Sequence, residues 1–364
     1  MFDLELSKEQ KMIKEEVAKL VKDLVIEQSK EWDMSGEIPK DTIQKAWELG
    51  ASVSAVPEEF GGFGMEDSPI TTAIILEELA YGDMAFAVAA TAPSTAISPL
   101  LDSGTKEQQA KYLPIFCAEE FAPCTLGLNE EGFGFDPLEP GTTAEKKNGS
   151  YILNGKKVFV PLAEQSSHIM IAASLDGVGN LFIVDKNNPG LSVSEREKNL
   201  GMYALASNEV ILENCEIPAE DRVGGDKGCD YTRFLQKCRI GMCALGTGVS
   251  RASYEFARDY AKDREQFGEP IVYRQSIAFN IGDMATEVDS MRLLTWKAAS
   301  KLENGKDAQR EAYLAKLFTG KNTMTIVNDG VQILGGHGFV REYPVERFYR
   351  NGRGIGILEG AVTV

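Results

Sequence analysis

The spacing of apolar positions changes twice along the chain, near residue 121 and near residue 228, and predicts a helical, then a strand-rich, then a helical region. In the first region Ser7 and Gln10 form a capping-box signature, and Ile13, Val17, Leu20 and Leu24 follow at helical spacing on one face. Asp41 is expected to cap a second helix through Ile43, Ala46, Trp47 and Leu49, which Gly50 ends. From Pro69 to Ala92 apolar residues fall on every side with few charges, which predicts a buried helix or helix pair. Between Cys124 and Val223 short apolar runs alternate with turn residues: 151–153, 157–160, 168–173, 180–184, 191–194 and 209–212. The first two flank Asn154-Gly155, which predicts a hairpin there. Long helical patterns then cover 230–263, 271–302 and 307–334, joined at Gly268-Glu269-Pro270 and at Asn304-Gly305. The expected organisation is an N-terminal helical domain (1–121), a middle β domain (122–226) and a C-terminal helical domain (227–364), with neither a repeat nor a low-complexity linker.

Composition narrows the function. With 364 residues the chain is long enough for two or three domains. Its net charge of −17 argues against a nucleic-acid binder or a polybasic membrane-surface protein. No apolar run reaches the roughly 18 residues of a membrane span. The acidic N-terminus lacks the pattern of a signal peptide. The six cysteines form no CxxC, so free thiols in a reducing cytoplasm are expected. Only two histidines, His168 and His337, are present, which argues against a His-rich metal site and against most Ser-His-Asp arrangements.

Taken singly, the motifs are weak. Gly61-Gly62-Phe63-Gly64 follows no strand and lacks a Lys-Ser ending, so a turn is the better reading than a phosphate loop. Gly246-Thr247-Gly248 inside a helical pattern points to close helix packing. The segment 128–136 (LNEEGFGFD) is either a turn or a ligand loop, and 335–338 (GGHG) is either a helix end or a close backbone approach to a cofactor. Glu359, an isolated acid in GIGILEGA, is either a surface group or a carboxylate in an apolar pocket, where it would suit a general base.

Their order is specific. VPEEFGGFG (56–64), SGTKEQQAKYLP (103–114), LNEEGFGFD (128–136), NGKKVFVPLA (154–163), the strands of 200–225, DREQFGEPIVYRQ (263–275), QILGGHGFVREYPVERFYR (332–350) and ILEGA (357–361) resemble, in sequence, the motifs of the acyl-CoA dehydrogenase family. The resemblance covers essentially the whole chain. It implies an α+β fold: an N-terminal α-helical domain, a middle β-barrel or sandwich domain and a C-terminal four-helix-bundle domain.

It also implies an FAD-dependent oxidation of an acyl-CoA to its 2-enoyl form by a homotetramer, with electrons passed to an electron-transferring flavoprotein. Glu359 matches the base that removes the α-proton. Its N–H and a flavin ribityl hydroxyl would meet the thioester oxygen. Some branches place the base just before the residue that is Arg239 here; that position is Cys238, so the alternative is absent. Leu128, Asn129, Gly134, Phe159 and Pro161 fall on the flavin-contacting segments, and Arg264, Phe267, Gln275, Gln332, Gly335 and Gly336 match residues that hold the FAD nucleotide across a subunit interface. Phe135, Arg239 and Gly360 match the substrate side, Arg239 being open between a CoA contact and a structural ion pair.

Departures from the pattern point to a divergent branch. Asn129 stands for Thr, Phe135 for Ser, Phe159 for Trp, Pro161 for Thr and Ala361 for Thr. The family threonine replaced by Pro161 offers a hydroxyl to the flavin, and proline has neither a hydroxyl nor an N–H. Two alternatives stand beside the dehydrogenase: a flavin oxidase or monooxygenase on the same fold, and a non-catalytic subunit of a heteromeric complex.

Overall fold

The computed structural model describes residues 5–364, so the first four residues of the expected N-terminal domain lie outside the described residues. Helix α1 (Lys8–Leu20) starts at the capping box: Gln10 N–H donates to Ser7 Oγ at 3.1 Å, and Ser7 N–H donates to Gln10 Oε1 at 3.0 Å. A wider helical turn, Val21–Val25, continues it, followed by α2 (Ser29–Ser35) and α3 (Lys40–Glu48). Asp41 does not cap α3. The helix begins one residue earlier, after Pro39, and Asp41 sits in its first turn, where a carboxylate still favours the positive end of the helix.

The apolar stretch 69–92 is a helix pair, α4 (Pro69–Gly82) and α5 (Met84–Thr91). Asp83 divides them: its backbone is extended, and its carboxylate accepts from Phe86 N–H at 3.0 Å as the cap of α5. Both helices are buried nearly all round, which is why their sequences show no polar face. Helices α6 (Ser94–Ser103) and α7 (Lys106–Phe116) complete this region. Among the described residues no single helix is long and apolar enough to cross a membrane.

Strands β1 (Thr125–Gly127), β2 (Thr143–Lys147), β3 (Ser150–Pro161), β4 (His168–Leu175), β5 (Val178–Asp185), β6 (Leu191–Arg196) and β7 (Ser207–Pro218) form one seven-stranded mixed sheet. β1 and β2 both pair in parallel with β4, β5 pairs with β4 in the antiparallel sense, and β3 joins β2 to β7. The expected hairpin at Asn154-Gly155 is absent. Those residues lie within the continuous strand β3, at a bulge between Leu153 and Gly155. The hairpin turn is instead Asn148-Gly149, both with positive φ, which pairs Lys147 with Ser150. A second bulge, between Lys157 and Val160, turns the end of β3; Phe159 within it and Leu162 just beyond it take positive φ.

The C-terminal region consists of α8 (Tyr231–Asp263), α9 (Gln275–Glu303), α10 (Gln309–Leu334) and the short α11 (Val345–Gly352). A two-residue ribbon, β8 (Glu265–Gln266) with β9 (Glu269–Pro270), links α8 to α9. Helix α9 starts four residues later than the periodicity suggests, because a tight turn at Ile271–Tyr273 follows Pro270. The glycines inside α8 serve close packing. A Cβ on Gly246 would lie 2.5 Å from Thr319 of α10, and one on Gly248 2.3 Å from the Glu77 carbonyl of α4. Arg251 on α8 and Arg292 on α9 converge on Glu77 and Glu78 of α4, and Arg350 of α11 pairs with Asp33 of α2. These ion pairs fasten the N-terminal helices to the C-terminal bundle. All six cysteines are free thiols.

Candidate active site

Glu359 lies just past the tight turn Arg353–Gly356 that follows α11. Its side chain is about one quarter exposed. Arg239 of α8 reaches it, with Nε 3.3 Å from Oε2, while its guanidinium also lies over the Tyr313 ring. This contact is an ion pair. Glu359 N–H donates to Asn129 Oδ1 at 3.1 Å, a link from the base segment to the loop after β1. Gly360 is wedged beside them: a Cβ there would come within 3.0 Å of both Cys238 and Leu128. Burial, reinforced by the Glu359 charge, pushes the Cys238 thiol far up, so it stays protonated beside the carboxylate. The structure thus brings Leu128, Asn129, Arg239, Glu359 and Gly360 together from segments far apart in the chain.

Leu358 and Ala361, on either side of that pair, line a cleft of about 150 Å³ between the sheet and the helices. Phe159 and Pro161 from the end of β3 form one wall, and Met202, Leu205 and Val88 complete an apolar lining. Asn351 accepts Met202 N–H at 2.6 Å and shapes this wall. Pro161 has no N–H. Its neighbours use theirs elsewhere: Phe159 N–H donates to Glu197 Oε1 at 3.2 Å, and Leu162 N–H to the Ala206 carbonyl at 2.9 Å.

A separate hollow is lined by Arg264, Phe267, Arg274, Gly335, Gly336 and His337, and shares no lining residue with the cleft. Gly335 has φ +59, and a Cβ on either glycine would meet nothing within 4 Å, so the backbone is open to close approach. Phe267 is 92% exposed. His337 is held by Tyr260, whose hydroxyl lies 2.7 Å from Nδ1, and is stacked on Tyr343. Gln275 and Gln332 are exposed at the start of α9 and the end of α10 and do not line the hollow. Gly134 is exposed and Phe135 half-buried on the loop after Glu130.

Lys157 and Glu130 are functional-site neighbours that motif reading missed. Lys157 is fully buried on β3, with Nζ 2.6 Å from Glu130 Oε1 and 3.4 Å from the Leu128 carbonyl. Glu130 also accepts from Gly141 N–H, Thr142 N–H and Thr142 Oγ1. The pair therefore clamps both sides of Asn129. The available signal was a lysine among the apolar positions of a strand. Burial lowers Lys157 to about 8 against the opposing pull of Glu130. Burial alone would raise Glu130, but the Lys157 charge and the hydrogen bonds leave it below the usual carboxylate value.

The unfolded chain keeps this lysine proton up to its ordinary 10.5, whereas the folded chain releases it at about 8. Between those values the unfolded state binds more protons, so this residue makes stability rise with pH. Lys157→Met is expected to remove that contribution. Urea-unfolding midpoints of both proteins across this window check it, and identical pH slopes would contradict it.

Fold and cleft together define an α–β–α protein with one clamped carboxylate at the edge of an apolar cleft and an open glycine-lined hollow apart from it. Family models for the acyl-CoA dehydrogenase N-terminal, middle and C-terminal domains match residues 7–120, 125–215 and 227–364, and the chain belongs to the acyl-CoA dehydrogenase family, whose members are FAD-dependent oxidoreductases. It is 35% identical over 343 residues to a 3-(aryl)acrylate reductase of Clostridium sporogenes, covering 92% of this chain and 90% of that protein. It is 35% identical over 353 residues to the caffeyl-CoA reductase-Etf complex subunit CarC of Acetobacterium woodii, covering 94% and 92%. Among solved structures it is similar to butyryl-CoA dehydrogenase from Megasphaera elsdenii, with TM-score 0.89, 28% identity and coverage of 99% and 96%.

Proposed function

We propose that this chain interconverts an acyl-CoA thioester and its 2-enoyl form with FAD as cofactor, exchanging electrons with an electron-transferring flavoprotein. The observation that carries this reading is Glu359: a carboxylate oriented by Arg239, backed by the buried Cys238, with its Oε1 free of any hydrogen-bond partner among the described residues. A thioester α-proton is weakly acidic, so its removal needs a positioned, partly desolvated base and a donor at the carbonyl oxygen. Glu359 supplies the base through its carboxylate and a donor through its own N–H. In the reverse direction the same carboxyl returns the proton to the α-carbon.

The residues present fit FAD. The cleft walled by Phe159, Pro161, Met202 and Leu358 suits a flat apolar ring system. The hollow offers two open glycines with the Arg264 and Arg274 guanidinium groups beside them, the pattern that receives a diphosphate. FAD, when bound, supplies the acceptor or donor of the β-hydride. The cleft and the hollow share no residue in one chain, which supports a nucleotide shared between two copies. The purified protein is accordingly expected to be yellow, with about one FAD per chain, and oligomeric. Its absorption spectrum and light-scattering mass check this; a colourless monomer that ignores added FAD would contradict it.

Pro161 favours the reducing direction. A segment with no donor left at residues 159, 161 and 162 stabilises reduced flavin less. A lower potential suits an enzyme that returns hydride to a conjugated enoyl thioester. Both relatives at 35% identity are named as reductases, one of an arylacrylate and one of caffeyl-CoA.

A further inference from the structure

The contact between Asn129 and Glu359 assigns a role to a residue outside the family pattern. Asn129 is 6% exposed and its backbone is fixed, since its carbonyl accepts Val158 N–H from β3 at 2.9 Å. The clamp made by Glu130 and Lys157 directly follows it. Only the oxygen end of an amide can accept from an N–H, so the bond to Glu359 defines which way the side chain points. The other end, Nδ2, has no acceptor among the described residues and is not one of the fully occluded polar atoms.

The Glu359 N–H is the backbone donor carried by the same residue as the base. An acyl group that places its α-carbon against the carboxylate brings its carbonyl oxygen to this N–H. In the structure that N–H donates to Asn129 Oδ1. Gly360 is pressed against Leu128 and Cys238, which holds the 359–360 backbone in place, so the side chain has to yield.

We propose that Asn129 gives up the Glu359 N–H to the acyl carbonyl, turns its amide, and presents Nδ2 as a further hydrogen-bond donor to the same oxygen. In the free protein it holds the donor in register. In the complex it adds a side-chain donor, beside the Glu359 N–H, to the oxygen on which negative charge develops. A hydrogen bond to a charged acceptor is worth about 1.5–3 kcal/mol, or about 10- to 100-fold in the acidity of the α-proton. This inference rests on the acyl-CoA reading of the site.

The test uses the holoenzyme and acetoacetyl-CoA, a thioester whose enolate is visible by its absorbance. Its apparent α-proton acidity is titrated when bound to wild type, Asn129→Leu, Asn129→Asp and Asn129→Thr, alongside FAD content and melting temperature. Leu keeps the size and removes both polar ends, so bound acidity is expected to fall about 10- to 100-fold. Asp keeps the acceptor, loses the donor and adds a charge, and is expected to fall at least as far. Thr, with a hydroxyl that donates, is expected to recover most of the loss. Unchanged acidity in the Leu and Asp variants with the probe bound would overturn the proposal, as would a fall in Thr equal to that in Leu. If acetoacetyl-CoA binds neither wild type nor variants, the acyl-CoA reading itself fails and the proposal falls with it. If Asn129→Leu does not fold, the Asp and Thr pair decides the outcome alone.

Discussion

Glu359→Gln is expected to bind acyl-CoA and retain FAD while losing flavin reduction by at least about 10²–10⁴-fold, the usual contribution of a general base. Glutamine preserves the size of the side chain and can still accept from Arg239 Nε, so the 3.3 Å contact is conserved in kind. It also leaves the Glu359 backbone N–H in place opposite Asn129. What disappears is the carboxylate that takes the α-proton. The loss therefore belongs in the rate of the chemical step, with substrate binding little changed. Anaerobic stopped-flow reduction by a saturated acyl-CoA, paired with equilibrium binding of a product, separates the two. A variant that reduces its flavin at the wild-type rate would place the base elsewhere.

Pro161→Thr is expected to raise the two-electron potential of the bound flavin by about 30–60 mV. The figure follows from one recovered donor to a developing charge, about 1.5–3 kcal/mol, at about 30 mV per 1.4 kcal/mol. The structure leaves little room for compensation. The amide protons of Phe159 and Leu162 are already bound by Glu197 and Ala206, so no donor of residues 159, 161 or 162 stands in for the missing hydroxyl. Redox titration with FAD retained checks the value. A potential equal to that of the parent would mean that another group already occupies the role, and the preference for the reducing direction would lose its physical basis.

How much of this was legible in the sequence depended on the range of the interaction. Local signals held: the Ser7–Gln10 capping box, the buried pair 69–92 and the bounds of α8 and α10 all depend on residues a few positions apart. Asn154-Gly155 misled because a dipeptide that permits a hairpin also permits a bulge. The register between β3 and β7 decided between them. Asp41 misled for a similar reason, since Pro39 offered an earlier start to α3.

The active site was legible as positions and not as contacts. Glu359 stood out as an isolated acid, but its partner Arg239 lies 120 residues away and Asn129 lies 230 away. No spacing rule joins such residues; only the packing of α8 against the segment after α11 does. Lys157 was hidden because a lysine in a strand ordinarily faces solvent, and only the fold shows Glu130 waiting for it in the interior.

The most direct test of the central claim is anaerobic mixing of the purified holoenzyme with a panel of saturated and arylpropionyl-type acyl-CoA thioesters, followed by addition of the matching enoyl-CoA to chemically reduced enzyme. The oxidised flavin is expected to bleach with at least one acyl-CoA, or the reduced flavin to reoxidise with its enoyl partner, with Glu359→Gln silent in both. A flavin that no thioester bleaches or reoxidises, in a protein that binds FAD, would contradict it.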